Sequence, residues 1–186
     1  MRFPRFPRLP VALLVCGILA ASTASARPVI YDTDMAIDDW LGLLYLLAEP
    51  DIEVVAVTVS ASGESHCEPG LDNARNLMAL AGQSGTPVAC GDAYPLEGYF
   101  VFPEPWQVDS DTLSGIDIGQ WVEDPATGTA SDGHAMDLIH RVIADSEEPV
   151  AIVAVGPLTN IAEWLNRYPE DRKGVSELVM MGGSYK

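Results

Sequence analysis

Basic residues are scarce in this chain. Ten lysines and arginines stand against 27 acids in 186 residues, a formal charge of −17. So acidic a body repels phosphate backbones and anionic headgroups, which argues against nucleic-acid and membrane-surface partners. Histidine is rarer still, limited to His66, His134 and His140. The last two fall in or beside a helical stretch and read as surface or core residues, not as catalytic acids. No apolar run is long enough to cross a bilayer: residues 11–20 (VALLVCGILA) are only half of the ~20 that a span requires. Glycine and proline show no period, and 48% apolar against 20% charged residues excludes a disordered tail, a collagen-like rod and a coiled coil. No internal repeat and no low-complexity linker supports a second domain.

The first 26 residues differ from the rest. Arg2, Arg5 and Arg8 lie in residues 1–10, the apolar run follows, and Ala24-Ser25-Ala26 supplies a small-residue cleavage pattern. This is the layout of a secretory signal peptide. The expected domains are therefore a signal peptide, 1–26, and one domain, 27–186, in a secreted or periplasmic protein. Removal of Cys16 leaves Cys67 and Cys90, an even pair for an oxidising compartment. Cys67 follows one predicted strand and Cys90 ends the next. A right-handed crossover can set two such strands side by side, with both cysteines on one rim and within reach of a disulfide.

Strand-like and helix-like stretches alternate through the remainder. Strands are expected at 28–32, 52–59, 87–90, 149–155 and 178–181. Helices are expected at 38–48, 71–81, 132–145 and 158–165. The helix at 38–48 (DDWLGLLYLLA) carries apolar residues on nearly every face and reads as buried. Ser131 is placed to cap the helix at 132–145. The fold class this order implies is α/β, a mostly parallel sheet with helices on both faces. Residues 91–130 break the rhythm, holding Phe100, Phe102, Trp106 and Trp121 without a sustained period. So long a connection reads either as a lid over a site or as a surface excursion packed on the scaffold.

The strongest chemical signal is Asp32-Thr33-Asp34-Met35-Ala36-Ile37-Asp38-Asp39, four carboxylates in eight residues directly after a buried strand. Ligands of open parallel sheets sit at the carboxyl ends of strands. Carboxylates packed that closely must take up protons or be neutralised by a cation, and an all-oxygen set suits a hard ion such as Ca²⁺ or Mg²⁺. Capping of the next helix accounts for Asp38 or Asp39 but not for Asp32 and Asp34. An EF-hand is excluded, because Ile37 and Leu43 stand where that loop needs glycine and glutamate. A phosphatase of the haloacid-dehalogenase type is an alternative, with Asp32 as nucleophile and Asp34 as general acid. It leaves Asp38-Asp39 unexplained, and Ala36 stands where that motif wants threonine or valine.

Two further strand ends carry Val155-Gly156-Pro157-Leu158-Thr159-Asn160 and Met180-Met181-Gly182-Gly183. Each alone is an ordinary turn. With the aspartate cluster, they resemble the inosine–uridine-preferring nucleoside hydrolase family, which has D-x-D-x-x-x-D-D, then G-P-L-T-N, then M-G-G. The resemblance extends to Asn73-Ala74, Ala81-Gly82, Pro87-Val88, Gly91 and Pro95-Leu96.

The resemblance implies a Rossmann-like fold and Ca²⁺-dependent hydrolysis of the N-glycosidic bond of ribonucleosides. It implies that Asp34 binds Ca²⁺ and takes a proton from the attacking water. Asp39 and the carbonyl of Val155 would be further metal ligands, Asp38 and Met181 would meet the ribose, and Asp32 would be a supporting acid. Glu64 stands where the family commonly has asparagine and reads as a substrate contact. Asp111 replaces a family histidine, so base preference stays open, as does oligomeric state, a homo-oligomer included. Family members are longer, and this chain stops three residues after Met-Gly-Gly, as a truncated member or fragment would. The implied partner is a small ribonucleoside. A non-catalytic secreted nucleoside- or ribose-binding protein is the competing reading from a different class.

Overall fold

The computed structural model describes residues 25–183 apart from 100, 101, 113, 114 and 129. Residues 1–24 of the expected signal peptide lie outside that range. Five strands, β1 (Arg27–Thr33), β2 (Ile52–Val59), β3 (Val88–Cys90), β4 (Val150–Ala154) and β5 (Val175–Met180), form one sheet in the order β3-β2-β1-β4-β5. All four pairings are parallel. The helices are α1 (Ile37–Ala48), α2 (Cys67–Leu80), α3 (Glu104–Ser110), α4 (Ala135–Asp145) and α5 (Thr159–Arg167). Among the described residues no helix is long and apolar enough to cross a membrane.

Strand alternation decides which helix goes where. Tyr31, Val57 and Val59 face one side and pack with Trp40 and Leu43 of α1 and Leu71, Leu77 and Met78 of α2. Ile30, Ala56 and Ile152 face the other, against Leu138 and Ile139 of α4 and Ile161 and Trp164 of α5. Both sheet faces are thus covered, which is why β4 reads as an unbroken apolar run. Strand order runs outward from β1 in both directions, through β2 to β3 and through β4 to β5. The reversal lies between β1 and β4, and the crevice at such a point is where doubly wound sheets hold ligands.

Several expectations need correction. Helix α1 is not buried on nearly every face: Ile37, Leu41 and Tyr45 are 60%, 68% and 64% exposed. They recur at every fourth position, while Asp39, Trp40 and Leu43 are buried and Leu44, Leu46 and Leu47 pack against the same core. Helix α2 begins at Cys67, four residues before the expected start, because the apolar period appears only from Leu71 onward. Ser131 does not cap α4. Its hydroxyl accepts the Cys90 N–H at 2.9 Å, and the cap is the His134 side chain, which accepts the Met136 N–H at 3.4 Å. Residues 91–130 contain α3 and a 3-10 turn, Ile118–Trp121. The expected disulfide is present: Cys67 at the start of α2 and Cys90 at the end of β3 have Cα atoms 5.8 Å apart.

Candidate active site

Strand β1 delivers its acids to the crevice. Asp32 is fully buried (0% exposed), and one of its carboxylate oxygens accepts the Thr58 hydroxyl at 2.6 Å and the Asn160 amide at 2.8 Å. Among the described residues its other oxygen has no hydrogen-bond partner, nor has the amide oxygen of Asn160. Burial drives the Asp32 carboxyl up to about 7, against the opposing effect of those two hydrogen bonds.

The backbone then turns sharply. Met35 is buried with φ at 59°, a left-handed conformation costly for any residue but glycine. It is held there by the Thr33 hydroxyl, which accepts the Met35 N–H at 2.8 Å, and by Trp40, whose indole N–H reaches the Met35 carbonyl at 3.0 Å. Strain fixed in this way concentrates at functional sites. Here the turn folds Asp34 back onto the start of α1.

Asp34 and Asp39 meet as a result. One Asp39 oxygen accepts both the Thr33 hydroxyl at 2.6 Å and the Asp34 N–H at 3.2 Å. One Asp34 oxygen accepts the Glu64 N–H at 3.0 Å. Both carboxyls are pushed above their ordinary range, first by burial; for Asp34 the neighbouring Asp39 adds to this, and for Asp39 the charge of Asp38 does. The same acids, after burial, push the Tyr31 hydroxyl upward.

Neighbouring loops close on this pair with no room to spare. A Cβ on Gly63 would lie 2.2 Å from an Asp34 oxygen, and one on Gly156 would lie 2.7 Å from the Asp34 nitrogen. Glycine at 63 and 156 is therefore a requirement of close approach. The Val155 N–H donates to the Asp32 carbonyl at 2.8 Å, which brings the β4 loop alongside. Hydroxyls stitch the rim further: Ser62 meets Thr159 at 2.8 Å, and Ser60 donates to the Pro157 carbonyl at 3.0 Å.

The site residues expected from sequence thus fall into two groups. Asp34, Asp39, Glu64 and Val155 come together at the crevice. Asp38 lies beside Asp39 in the first turn of α1 but faces outward, and Met181, 58% exposed, stands two strands away, its N–H bonded to the Ala154 carbonyl at 2.9 Å. Three contributors escaped the sequence reading. Asn160 lay inside the G-P-L-T-N motif, the one signal that pointed to it. Thr58 sits in a plain valine-rich strand, and Gln107 of α3 lies in the stretch without period.

Gln107 shows what that stretch does. Its buried amide donates to the Gly63 carbonyl at 3.0 Å, Ser110 donates to Glu64 at 3.3 Å, and Asp111 accepts the His66 N–H at 2.8 Å. The segment is therefore a wall of the site. Beside it opens a cleft of about 710 Å³, lined in part by His66, Tyr94, Tyr99, Glu104 and Asp111. The His66 ring lies 2.8 Å from the Asp111 carboxylate, and this hydrogen bond holds its proton above the ordinary histidine range.

A cation fits the acids at the end of β1. The donors are oxygens alone, burial and neighbouring acids disfavour ionisation of Asp34 and Asp39, and buried oxygens of Asp32 and Asn160 lack partners among the described residues. The family's sequence model, inosine-uridine preferring nucleoside hydrolase, matches residues 29–186. The chain belongs to that family.

Among curated relatives, the pyrimidine-specific ribonucleoside hydrolase RihA of Photobacterium profundum is 35% identical over 159 residues, covering 86% of this chain and 49% of that protein. The chain spans about half the length of the curated relatives it matches. Among solved structures, the inosine-uridine preferring nucleoside hydrolase of Bacillus anthracis superposes with a TM-score of 0.75 at 22% identity, over 86% of this chain and 51% of that one. The purine-preferring ribonucleoside hydrolase of Gardnerella vaginalis gives 0.66 at 26% identity, over 85% and 49%. These likenesses agree with the doubly wound sheet described above.

Proposed function

We propose that this chain is the substrate- and metal-binding portion of an exported, Ca²⁺-dependent hydrolase that cleaves ribonucleosides to ribose and free base. The observation that carries the reading is the Asp34–Asp39 pair, buried at the reversal of strand order and held without a basic partner among its dominant influences. Asp34, Asp39 and the Val155 carbonyl are the groups that would hold Ca²⁺. Bound there, the ion would orient a water and make it more acidic. Asp34 would take a proton from the attacking water, whose hydroxyl would bond to the anomeric carbon as the carbon–nitrogen bond breaks. The base would leave with the electron pair and take up a proton from solvent, to which Asp34 would return the one it took. Glu64 at the crevice contacts the sugar, with the exposed Asp38 and Met181 as the further expected contacts, and the adjoining cleft receives the base. The transition state resembles an oxocarbenium ion, so activated water on one face of the sugar is the half of the chemistry these residues supply.

The phosphatase alternative requires Asp32 as an accessible nucleophile. With no exposed surface and its carboxylate tied to Thr58 and Asn160, Asp32 is unsuited to in-line attack. The test is reducing-sugar release from uridine, cytidine and inosine by the full chain with Ca²⁺. Release that Asp34→Asn abolishes supports the proposal. Calorimetric binding of nucleoside without release favours the non-catalytic binding protein, and neither binding nor release refutes both.

A further inference from the structure

A second polar cluster stands away from the aspartates of β1. Asp92 lies two residues past β3, His134 caps α4 and Glu163 is in the second turn of α5. Tertiary packing brings them together: Cys90 bridges to His134 beside β3, and Gly91 lies so close to Asn160 that a Cβ there would overlap its amide oxygen. One turn beyond Asn160 on α5, Glu163 is carried against Asp92. One ligand atom from each of the three residues lies within 4.8 Å of the other two.

Protons alone do not satisfy this group. The Nε2 atom of His134 is 3.2 Å from Asp92 and 3.9 Å from Glu163. Its Nδ1 atom accepts the Met136 N–H at 3.4 Å, so the neutral ring has one proton, on Nε2, for two carboxylates. The Glu163 side chain is only 11% exposed, and among the described residues its inaccessible Oε2 atom accepts no hydrogen bond. Burial and the charge of Asp92 both disfavour ionised Glu163. The gaps of 3.2 and 3.9 Å match neighbouring ligands around one cation with bonds of ~2.0–2.2 Å.

We infer that Asp92, His134 and Glu163 form a second metal site, selective for a divalent transition ion of the Zn²⁺ or Mn²⁺ class. An imidazole with two carboxylates suits such ions, whereas the all-oxygen acids of β1 suit Ca²⁺. Asp92, 65% exposed, stands at the mouth, Glu163 closes the floor, and water completes the open side. Ligation draws the Nε2 lone pair to the ion and moves the ring proton to Nδ1, which gives up the long cap bond from Met136.

The probe is Zn²⁺ alone, titrated calorimetrically into the metal-free full chain with Ca²⁺ in excess, and Co²⁺ absorption reports the geometry. One Zn²⁺ should bind to the parent and equally to Asp39→Asn. Affinity should fall by at least about tenfold in Glu163→Gln and in His134→Asn, which keeps a capping side chain. Thermal melts check that each variant is folded, and the exposed Asp92→Asn replaces any that is not. The inference is overturned if the parent binds no Zn²⁺, if Glu163→Gln binds it as tightly as the parent, or if Asp39→Asn alone removes binding. Because the Asp39 variant reports on the β1 acids separately, this outcome is independent of the hydrolase proposal.

Discussion

At the scale of single residues, two atoms' worth of space governs the site. Gly63→Ala would drive a methyl group into the Asp34 side chain, against its Cβ and Cγ as well as its carboxylate oxygen. Calorimetry should show Ca²⁺ affinity reduced by at least about tenfold; an unchanged affinity would remove Asp34 from the ligand set. Protonation gives a second handle. Burial pushes the Asp32 carboxyl up to about 7 in the folded protein, against about 4 in an unfolded chain. Between those values the folded state binds more protons, so this group makes stability fall as pH rises from about 4 to 7, and the effect levels off above. In chelator, urea midpoints should drop between pH 5 and pH 7.5 by an amount that Asp32→Asn visibly shrinks. Excess Ca²⁺ should shrink the drop as well, since the ion offsets what protons otherwise neutralise. An equal drop in parent and variant would show that Asp32 is not the group responsible. The acids themselves were readable in sequence from their density behind a strand. Their clamps were not, because Thr58 and Asn160 lie 26 and 128 positions from Asp32 and only the sheet brings them near.

At the scale of elements, the Cys67–Cys90 bridge ties the start of α2 to the end of β3, beside the loop that carries Gly63 and Glu64. It closes a separation of 23 residues, for which the chain-entropy account gives about 3 kcal/mol. The double variant Cys67→Ala/Cys90→Ala should therefore lose about that much in denaturant unfolding. A loss below about 1 kcal/mol would mean that the unfolded chain is already constrained in this region. The strands were the most readable elements, since β2 is bounded by turn residues and matches its expected span, Ile52–Val59. Helix faces were less so. In α1 every face offers leucine, isoleucine or tyrosine, and composition cannot say which stripe meets the sheet. Helix α3 was hidden because its contribution is one buried glutamine and not an apolar stripe.

At the scale of the whole molecule, the described sheet is covered over its central strands but open at β5, where no side chain is fully buried. β5 is the last strand in the order, and Val179 and Met180 are about half exposed. An open apolar edge is a template for pairing with another chain. Val179→Lys should slow the growth of particles seen by light scattering at 37 °C, leaving the thermal midpoint nearly unchanged. Growth at the parental rate would place the association elsewhere. The doubly wound architecture was implied by the alternation of strands and helices. The position of β1 at its centre was not, because nothing in the order of elements along the chain states where the sheet reverses.

That central position has a consequence for how the molecule assembles. β1 leads the described chain, yet one of its two neighbours, β4, begins at Val150, and the amide that locks Asp32 comes from Asn160. Hairpin-like local closure cannot build such a centre; the strand must wait for partners far along the chain, and topologies of this kind fold slowly. Early intermediates would hold β1, β2 and α1 with the acids still open to water. The proposed binding centre should therefore be among the last features to mature, with Ca²⁺ capture during refolding lagging behind the recovery of helical signal.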